Sequence, residues 1–214
     1  MSISVLIADD HAVVRDGLKL LLESRQDIKV VALASNGREA VKLVKKLSPD
    51  VAVLDIAMPE LNGIEAALRI REASPRTRTI MLSMHATSEH VFRSLQAGAV
   101  GYLLKESAGS EVVKAVMAVH AGKRYLSEKI DDPGHVADGP TAGARSPLER
   151  LSEREREVLQ LVVEGRSSAQ IAASINLSPK TVETYRSRIM QKLDVHDVAG
   201  LVKFALSHGV TGKE

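Results

Sequence analysis

Val51-Ala52-Val53-Leu54-Asp55, followed by Ile56-Ala57-Met58-Pro59, is the stretch whose reading decides the fold. Four consecutive apolar residues are the pattern of a strand buried on both faces, as in a parallel sheet. The run ends in a carboxylate, and Met58-Pro59 and Leu61-Asn62-Gly63 beyond it have the composition of a loop. In open α/β sheets, ligands collect outside the carboxyl ends of the strands. Asp55 therefore stands where chemistry is expected.

The flanking sequence repeats the pattern. Ile3 to Ala8 is a short apolar run ending in Asp9-Asp10, and Val14, Leu18, Leu21 and Leu22 follow at helical spacing. Ile28 to Leu33 is a second strand, and Ala40, Leu43, Val44 and Leu47 mark the next helix. After Asp55 come a helix through Ile64, Ala67 and Leu68, a strand from Thr79 to Leu82 ending at Ser83, and a weaker helix from Ser88 to Gln96. Gly101 to Leu104 is a fifth strand, ending at Lys105, and Val113, Val116 and Met117 mark a fifth helix. Five such alternations predict an α/β fold, a doubly wound five-stranded parallel sheet, over residues 1–124.

Composition narrows the class. The 214 residues are 44% hydrophobic and 26% charged, ordinary values for globular protein, and the net charge of +2 does not by itself argue for nucleic acid. The absence of cysteine excludes disulfides, thiolate metal sites and cysteine nucleophiles. No apolar stretch is long enough to span a membrane and the first residues do not form a secretory signal, so a cytoplasmic protein is expected. The seven histidines, His11 among them, are scattered without metal-ligand spacing, which argues against zinc.

Between residues 125 and 147 periodicity disappears. Asp131-Asp132-Pro133-Gly134, Gly139-Pro140 and Ala142-Gly143-Ala144 read as a flexible linker. Residues 148–214 then carry only helical patterns, four helices in all. Ser152-Glu153-Arg154-Glu155 has the form of a capping box, and Ser167-Ser168-Ala169-Gln170 offers a second. Ser178-Pro179 starts a longer helix with a cap and a proline at the first helical position.

Parallel strands bring Asp9, Asp10 and Asp55 to one sheet edge, with Ser83 and Lys105 on neighbouring strand ends. Three carboxylates together repel one another, and a hard divalent cation such as Mg²⁺ is the usual remedy. Lys105 adds a positive charge and Ser83 a hydroxyl, suited to an anion between them. The implied chemistry is phosphoryl transfer onto Asp55, giving a labile acyl phosphate that suits a switch. Any one of these residues alone reads as a solvated strand end or helix cap. It is their joint order that argues for a site.

These residues resemble the receiver domain of two-component response regulators over residues 3 to about 122. The resemblance implies that Asp55 is the phosphoacceptor and that Asp10 and Asp55 bind Mg²⁺, with Asp9 acting through water and the Ala57 carbonyl as a further ligand. It also implies that Ser83 moves towards the phosphoryl group, that Tyr102 changes burial with it, and that Lys105 pairs with phosphoryl oxygens. Ala57 offers no polar side chain to orient water, so the phosphorylated state is not expected to be especially short-lived.

In the last third, charge distribution says more than total charge. From Ser178 to Lys192 the bases are Lys180, Arg186, Arg188 and Lys192, against Glu183 alone. Val182, Tyr185, Ile189 and Leu193 should face a core, leaving Lys180, Thr184, Ser187, Arg188 and Gln191 on the opposite face. Short polar groups flanked by bases suit a helix entering a DNA major groove. With the preceding Ile171–Ile175 helix and a short turn, this forms a helix-turn-helix.

The segment resembles the LuxR-type helix-turn-helix of NarL/FixJ response regulators, through Leu151-Ser152, Arg154-Glu155, Glu157-Val158-Leu159, Glu164-Gly165, Ile171-Ala172, Thr181-Val182-Glu183-Thr184 and Lys192-Leu193. It implies groove contacts by Lys180, Glu183, Thr184, Ser187 and Arg188, and phosphate contacts or flanking support by Thr181, Arg186 and Lys192. Val198 to Ser207 would be the dimer contact. The implied partners are a sensor histidine kinase, double-stranded promoter DNA and RNA polymerase, with a homodimer on phosphorylation and no membrane. The implied protein is not an enzyme acting on external substrates.

Two other classes compete: a DNA-binding regulator with a vestigial receiver pocket, and an aspartyl-phosphate hydrolase. The hydrolase lacks a second carboxylate just beyond Asp55, where Ala57 stands. Single-stranded RNA binding is disfavoured by an aromatic content of 2%, too few rings for stacking platforms.

Overall fold

A computed structural model describes residues 2–130 and 146–210. The chain divides into two units, residues 1–139 and 140–214. In the first, strands β1 (Ile3–Ala8), β2 (Ile28–Ala34), β3 (Val51–Asp55), β4 (Arg78–Ser83), β5 (Ala99–Leu104) and β6 (Tyr125–Leu126) form one sheet in the order β2-β1-β3-β4-β5-β6. Every pairing is parallel. The helices between them are α1 (Ala12–Glu23), α2 (Gly37–Leu47), α3 (Gly63–Ala73), α4 (Ser88–Gln96) and α5 (Ala108–His120).

Strand alternation sorts the core into two layers. Leu6, Ala52, Leu54, Met81, Tyr102 and Leu104 pack with apolar residues of α2, α3 and α4, whereas Val5, Ile7, Val53, Ile80, Leu82 and Leu103 pack with α1 and α5. Strand order reverses between β1 and β3, a switch point that places their carboxyl ends side by side. Asn62 caps α3 by accepting the Glu65 N–H. At the next position a Cβ on Gly63 would lie 2.1 Å from the Asp55 carbonyl oxygen, so the loop closes back onto its strand through a glycine.

Two expectations change. The sheet has six strands, because Tyr125 and Leu126 extend it beside β5. The stretch 125–147 is thus not linker throughout: β6, the buried Ile130 and a 3-10 turn at Pro147–Arg150 fall within it or overlap its end. The expected flexibility of residues 131–145 lies outside the described residues. The fifth helix forms where Val113, Val116 and Met117 mark it, α5 burying Ala108, Val112, Ala115, Val116 and Val119 and leaving Met117 exposed. Its apolar residues run nearly all round, so spacing alone did not select the face.

The second unit is helical: α6 (Glu153–Val163), α7 (Ser168–Ile175), α8 (Pro179–Leu193) and α9 (Val198–Ser207) around a core that includes Val158, Leu161, Ile171, Val182, Ile189 and Leu201. Complete capping boxes start α6 (Ser152 with Glu155) and α7 (Ser167 with Gln170). Asn176, in the left-handed region at φ 53°, turns the chain between α7 and α8, and Ser178 caps α8 through the Thr181 N–H.

Candidate phosphoacceptor pocket and DNA-binding helix

Asp9 follows β1 and Asp55 ends β3, so their carboxylates meet at the switch point. Both are buried, Asp9 at 0% and Asp55 at 1% exposure, whereas Asp10 faces outward. Lys105, directly after β5, reaches across. Its Nζ lies 2.8 Å from Asp9 Oδ2 and 3.0 Å from Asp55 Oδ1. Asp55 Oδ2 has no hydrogen-bond partner, and Asp9 Oδ2 meets the ammonium in a direction poor for a hydrogen bond. Burial and then the Asp9 charge push the Asp55 carboxyl up to about 6, against the opposing pull of Lys105. Those same carboxylates, against the effect of burial, raise Lys105 above its ordinary value.

One lysine between two buried carboxylates, with one oxygen unpartnered, is a donor set short of positive charge. A hard cation with oxygen ligands fits that shortage. Sequence spacing missed a further group here: His11 Nδ1 lies 2.7 Å from Asp10 Oδ1 and 3.1 Å from Asp9 Oδ1, and the three side chains could together hold a metal ion. The turn out of β1 brings them together, which intervals between histidines cannot reveal. Arg15 adds support, donating from Nη1 to the Asp9 carbonyl at 2.6 Å.

Ser83 ends β4, buried, and its Oγ accepts the His85 N–H at 3.0 Å. Tyr102 is buried on β5, and its hydroxyl donates to the His85 carbonyl at 2.7 Å. Burial pushes that hydroxyl up to about 12. The two side chains expected to switch therefore hold the same loop residue from both sides. Met84 to Ser88 around it are exposed, and the His85 ring stacks on the ring of His90.

On α8, Lys180, Glu183, Thr184, Ser187 and Arg188 are exposed. The remaining residues expected near DNA are engaged within the unit. Arg186 donates to Ser168 Oγ at 3.0 Å and pairs with Glu183 at 3.2 Å, while Glu183 also accepts the Ser168 hydroxyl. Lys192 pairs with Glu155 at 2.7 Å, and the Thr181 hydroxyl meets that of Ser178 at 2.8 Å. Sequence reading did not foresee the burial of Glu157, which pairs with Arg154.

Comparison with known proteins agrees with both units. Residues 5–117 match the response regulator receiver domain, and residues 149–205 match the LuxR family of bacterial regulatory proteins. The response regulator UvrY of Escherichia coli K12 is 37% identical over 212 residues, covering 99% of this chain and 97% of that protein. The oxygen regulatory protein NreC of Staphylococcus haemolyticus is 36% identical over 208 residues, covering 94% and 96%. Among solved structures, RcsB of Salmonella enterica serovar Typhimurium, bound to promoter rprA with a phosphomimetic, superposes with TM-score 0.64 at 26% identity, covering 95% of this chain and 98% of that one.

A receiver joined to a LuxR-type DNA-binding domain defines a two-component response regulator. Within that class, the chain belongs to the NarL/FixJ family. Among the described residues, no helix is long and apolar enough to cross a membrane.

Proposed function

We propose that this response regulator is phosphorylated on Asp55 by a sensor histidine kinase and, so switched, regulates transcription by binding promoter DNA through α8. The reading rests above all on the buried, partnerless Asp55 oxygen beside Lys105. An ionised Asp55 oxygen attacks the phosphorus of a phosphohistidine; the P–O bond forms, the P–N bond breaks, and imidazole leaves. Lys105, already between Asp9 and Asp55, pairs with the phosphoryl oxygens as negative charge arrives. Asp9, Asp10, Asp55 and the Ala57 carbonyl are the groups that would hold Mg²⁺. Bound there, Mg²⁺ supplies neutralising charge for the carboxylates and the incoming phosphoryl group.

Ser83 then turns its hydroxyl from the His85 N–H towards the phosphoryl oxygen, and Tyr102 follows the freed loop. The reshaped surface around α4 and β5 favours a homodimer, with α9 as the contact in the DNA-binding unit, so that two α8 helices meet adjacent half-sites. Lys180, Glu183, Thr184, Ser187 and Arg188 face the groove. Thr181, Arg186 and Lys192, already bonded within the unit, orient that helix or reach phosphates at its edge. RNA polymerase is the partner through which bound protein acts.

Intact mass after treatment with acetyl phosphate and Mg²⁺ tests this. One phosphoryl adduct, dependent on Mg²⁺ and absent from Asp55→Asn, is the expected result, with tighter promoter binding by the adduct. No adduct on the folded chain, with promoter binding unchanged by Asp55→Asn, would establish the vestigial pocket instead.

A further inference from the structure

Lys105 is held in place partly by a residue from beyond α5. Its own N–H donates to the Ser83 carbonyl at 2.8 Å, on the β4 side. The preceding N–H, that of Leu104, points to the other edge, where β6 has already ended after two residues. There it donates to the Ser127 hydroxyl oxygen at 3.1 Å. The same hydroxyl donates to Glu111 Oε2 at 2.6 Å, in the first turn of α5, and the Ser127 N–H donates to the Tyr102 carbonyl at 2.9 Å. Ser127 is 1% exposed, and Ile130 just beyond it is buried in the same apolar layer as Tyr102 and Leu104.

One serine thus stitches three things together: the β5 backbone that carries Tyr102 and Lys105, the start of α5, and the segment by which the chain leaves the sheet. We propose that Ser127 is a positioning residue for phosphoryl transfer at Asp55, and that through it occupancy of the pocket is coupled to the exit segment Tyr125–Ile130. The proposal rests on the reading of Asp55 as phosphoacceptor. The route is short and made of direct bonds: Asp55 to Lys105, one residue back to Leu104, across to Ser127. Coupling is reciprocal, so whatever fixes Lys105 tightens Ser127, and whatever pulls the exit segment away loosens Lys105. Sequence reading placed this segment in the linker. The structure makes it the last rung of the sheet.

The test uses the full chain with Ser127→Ala and the hydroxyl-retaining Ser127→Thr. Amide exchange at Leu104, measured without any ligand, should be about tenfold faster in Ser127→Ala, because a buried N–H loses its acceptor. The saturating rate of Asp55 phosphorylation by acetyl phosphate should fall about tenfold, with the half-saturating concentration unchanged, since misplacing Lys105 affects the transition state more than donor binding. Ser127→Thr should restore both to within about twofold. Beryllofluoride with Mg²⁺ should slow exchange over residues 125–130 in the natural chain and in Ser127→Thr, but not in Ser127→Ala.

Unchanged Leu104 exchange or an unchanged saturating rate in Ser127→Ala would overturn the positioning role. Slowed exchange around Asp55 without any at 125–130 in the natural chain would overturn the coupling alone. No response around Asp55, together with no phosphoryl adduct, would instead remove the phosphoacceptor reading itself, and the proposal with it.

Discussion

Each unit buries a carboxylate against a lysine, and the two pairs behave oppositely. In the second unit, Glu155 accepts from Lys192 and from the Ser152 N–H, both at 2.7 Å. Burial works against its charge, yet those bonds hold its carboxyl below the ordinary value. In the first unit, one ammonium is divided between Asp9 and Asp55, and the Asp55 carboxyl is pushed up to about 6. A lysine that serves one carboxylate, helped by a backbone amide, makes a structural staple. Shared between two, it leaves a deficit that a cation and a phosphoryl group can use.

Removing each acid should break this contrast most sharply. Glu155→Ala removes one half of the α6 capping box and the partner of a half-exposed Lys192, so the second unit should lose about 2 kcal/mol. Asp55→Asn should do the reverse, stabilising the first unit at pH 8 by about 2 kcal/mol in the absence of metal. The sign follows from the direction of the shift. A carboxyl that is easier to protonate folded than unfolded favours the native state at low pH, and that contribution is lost as pH rises from about 4 to about 6. Glu155 has the opposite sign, stabilising above the unfolded carboxylate range and losing that contribution as pH falls through its depressed value. Amide exchange followed separately in peptides of the two units measures both. Equal signs for the two substitutions would dissolve the contrast.

Metal gives a smaller effect on the same axis. Mg²⁺ at about ten times its Kd should slow exchange in the first unit by about tenfold and leave the second unchanged, and Asp55→Asn should weaken the response. Smallest of all is Arg188→Ala. It removes an exposed charge from α8, so the stability of the second unit should move by less than about 0.5 kcal/mol. Promoter binding should still weaken, and its salt dependence should drop by about one counterion if Arg188 meets a phosphate. Weakened binding with an unchanged salt slope would assign Arg188 to a base edge, and unchanged binding would remove it from the DNA face.

Much of the pocket was legible because parallel strands of known period must end together. Once Ile3–Ala8, Val51–Asp55, Thr79–Ser83 and Gly101–Lys105 read as strands, Asp9, Asp55, Ser83 and Lys105 had to share an edge. What escaped depends on turns and crossings rather than on period. His11 joins the carboxylates through the turn after β1. Tyr125-Leu126 is too short to show alternation and is a strand only because β5 lies open beside it. On α8 the outward face was legible from spacing, but the engagement of Glu183 and Arg186 with Ser168 depends on how α7 crosses it. Glu157 and Gln160 were hidden for the opposite reason: polar residues at buried positions, which spacing assigns to solvent.

The placement of the tyrosines has a practical consequence. The chain contains no tryptophan and only three tyrosines. Tyr102 holds the loop at His85, Tyr125 lies on the exit strand, and Tyr185 is half-buried in the helix proposed to meet DNA. Fluorotyrosine incorporation would therefore yield a three-line ¹⁹F spectrum without any substitution, one resonance for the switch, one for the route out of the sheet and one for the reading head. The order in which those lines shift as phosphodonor and then DNA are added would time the signal through the molecule.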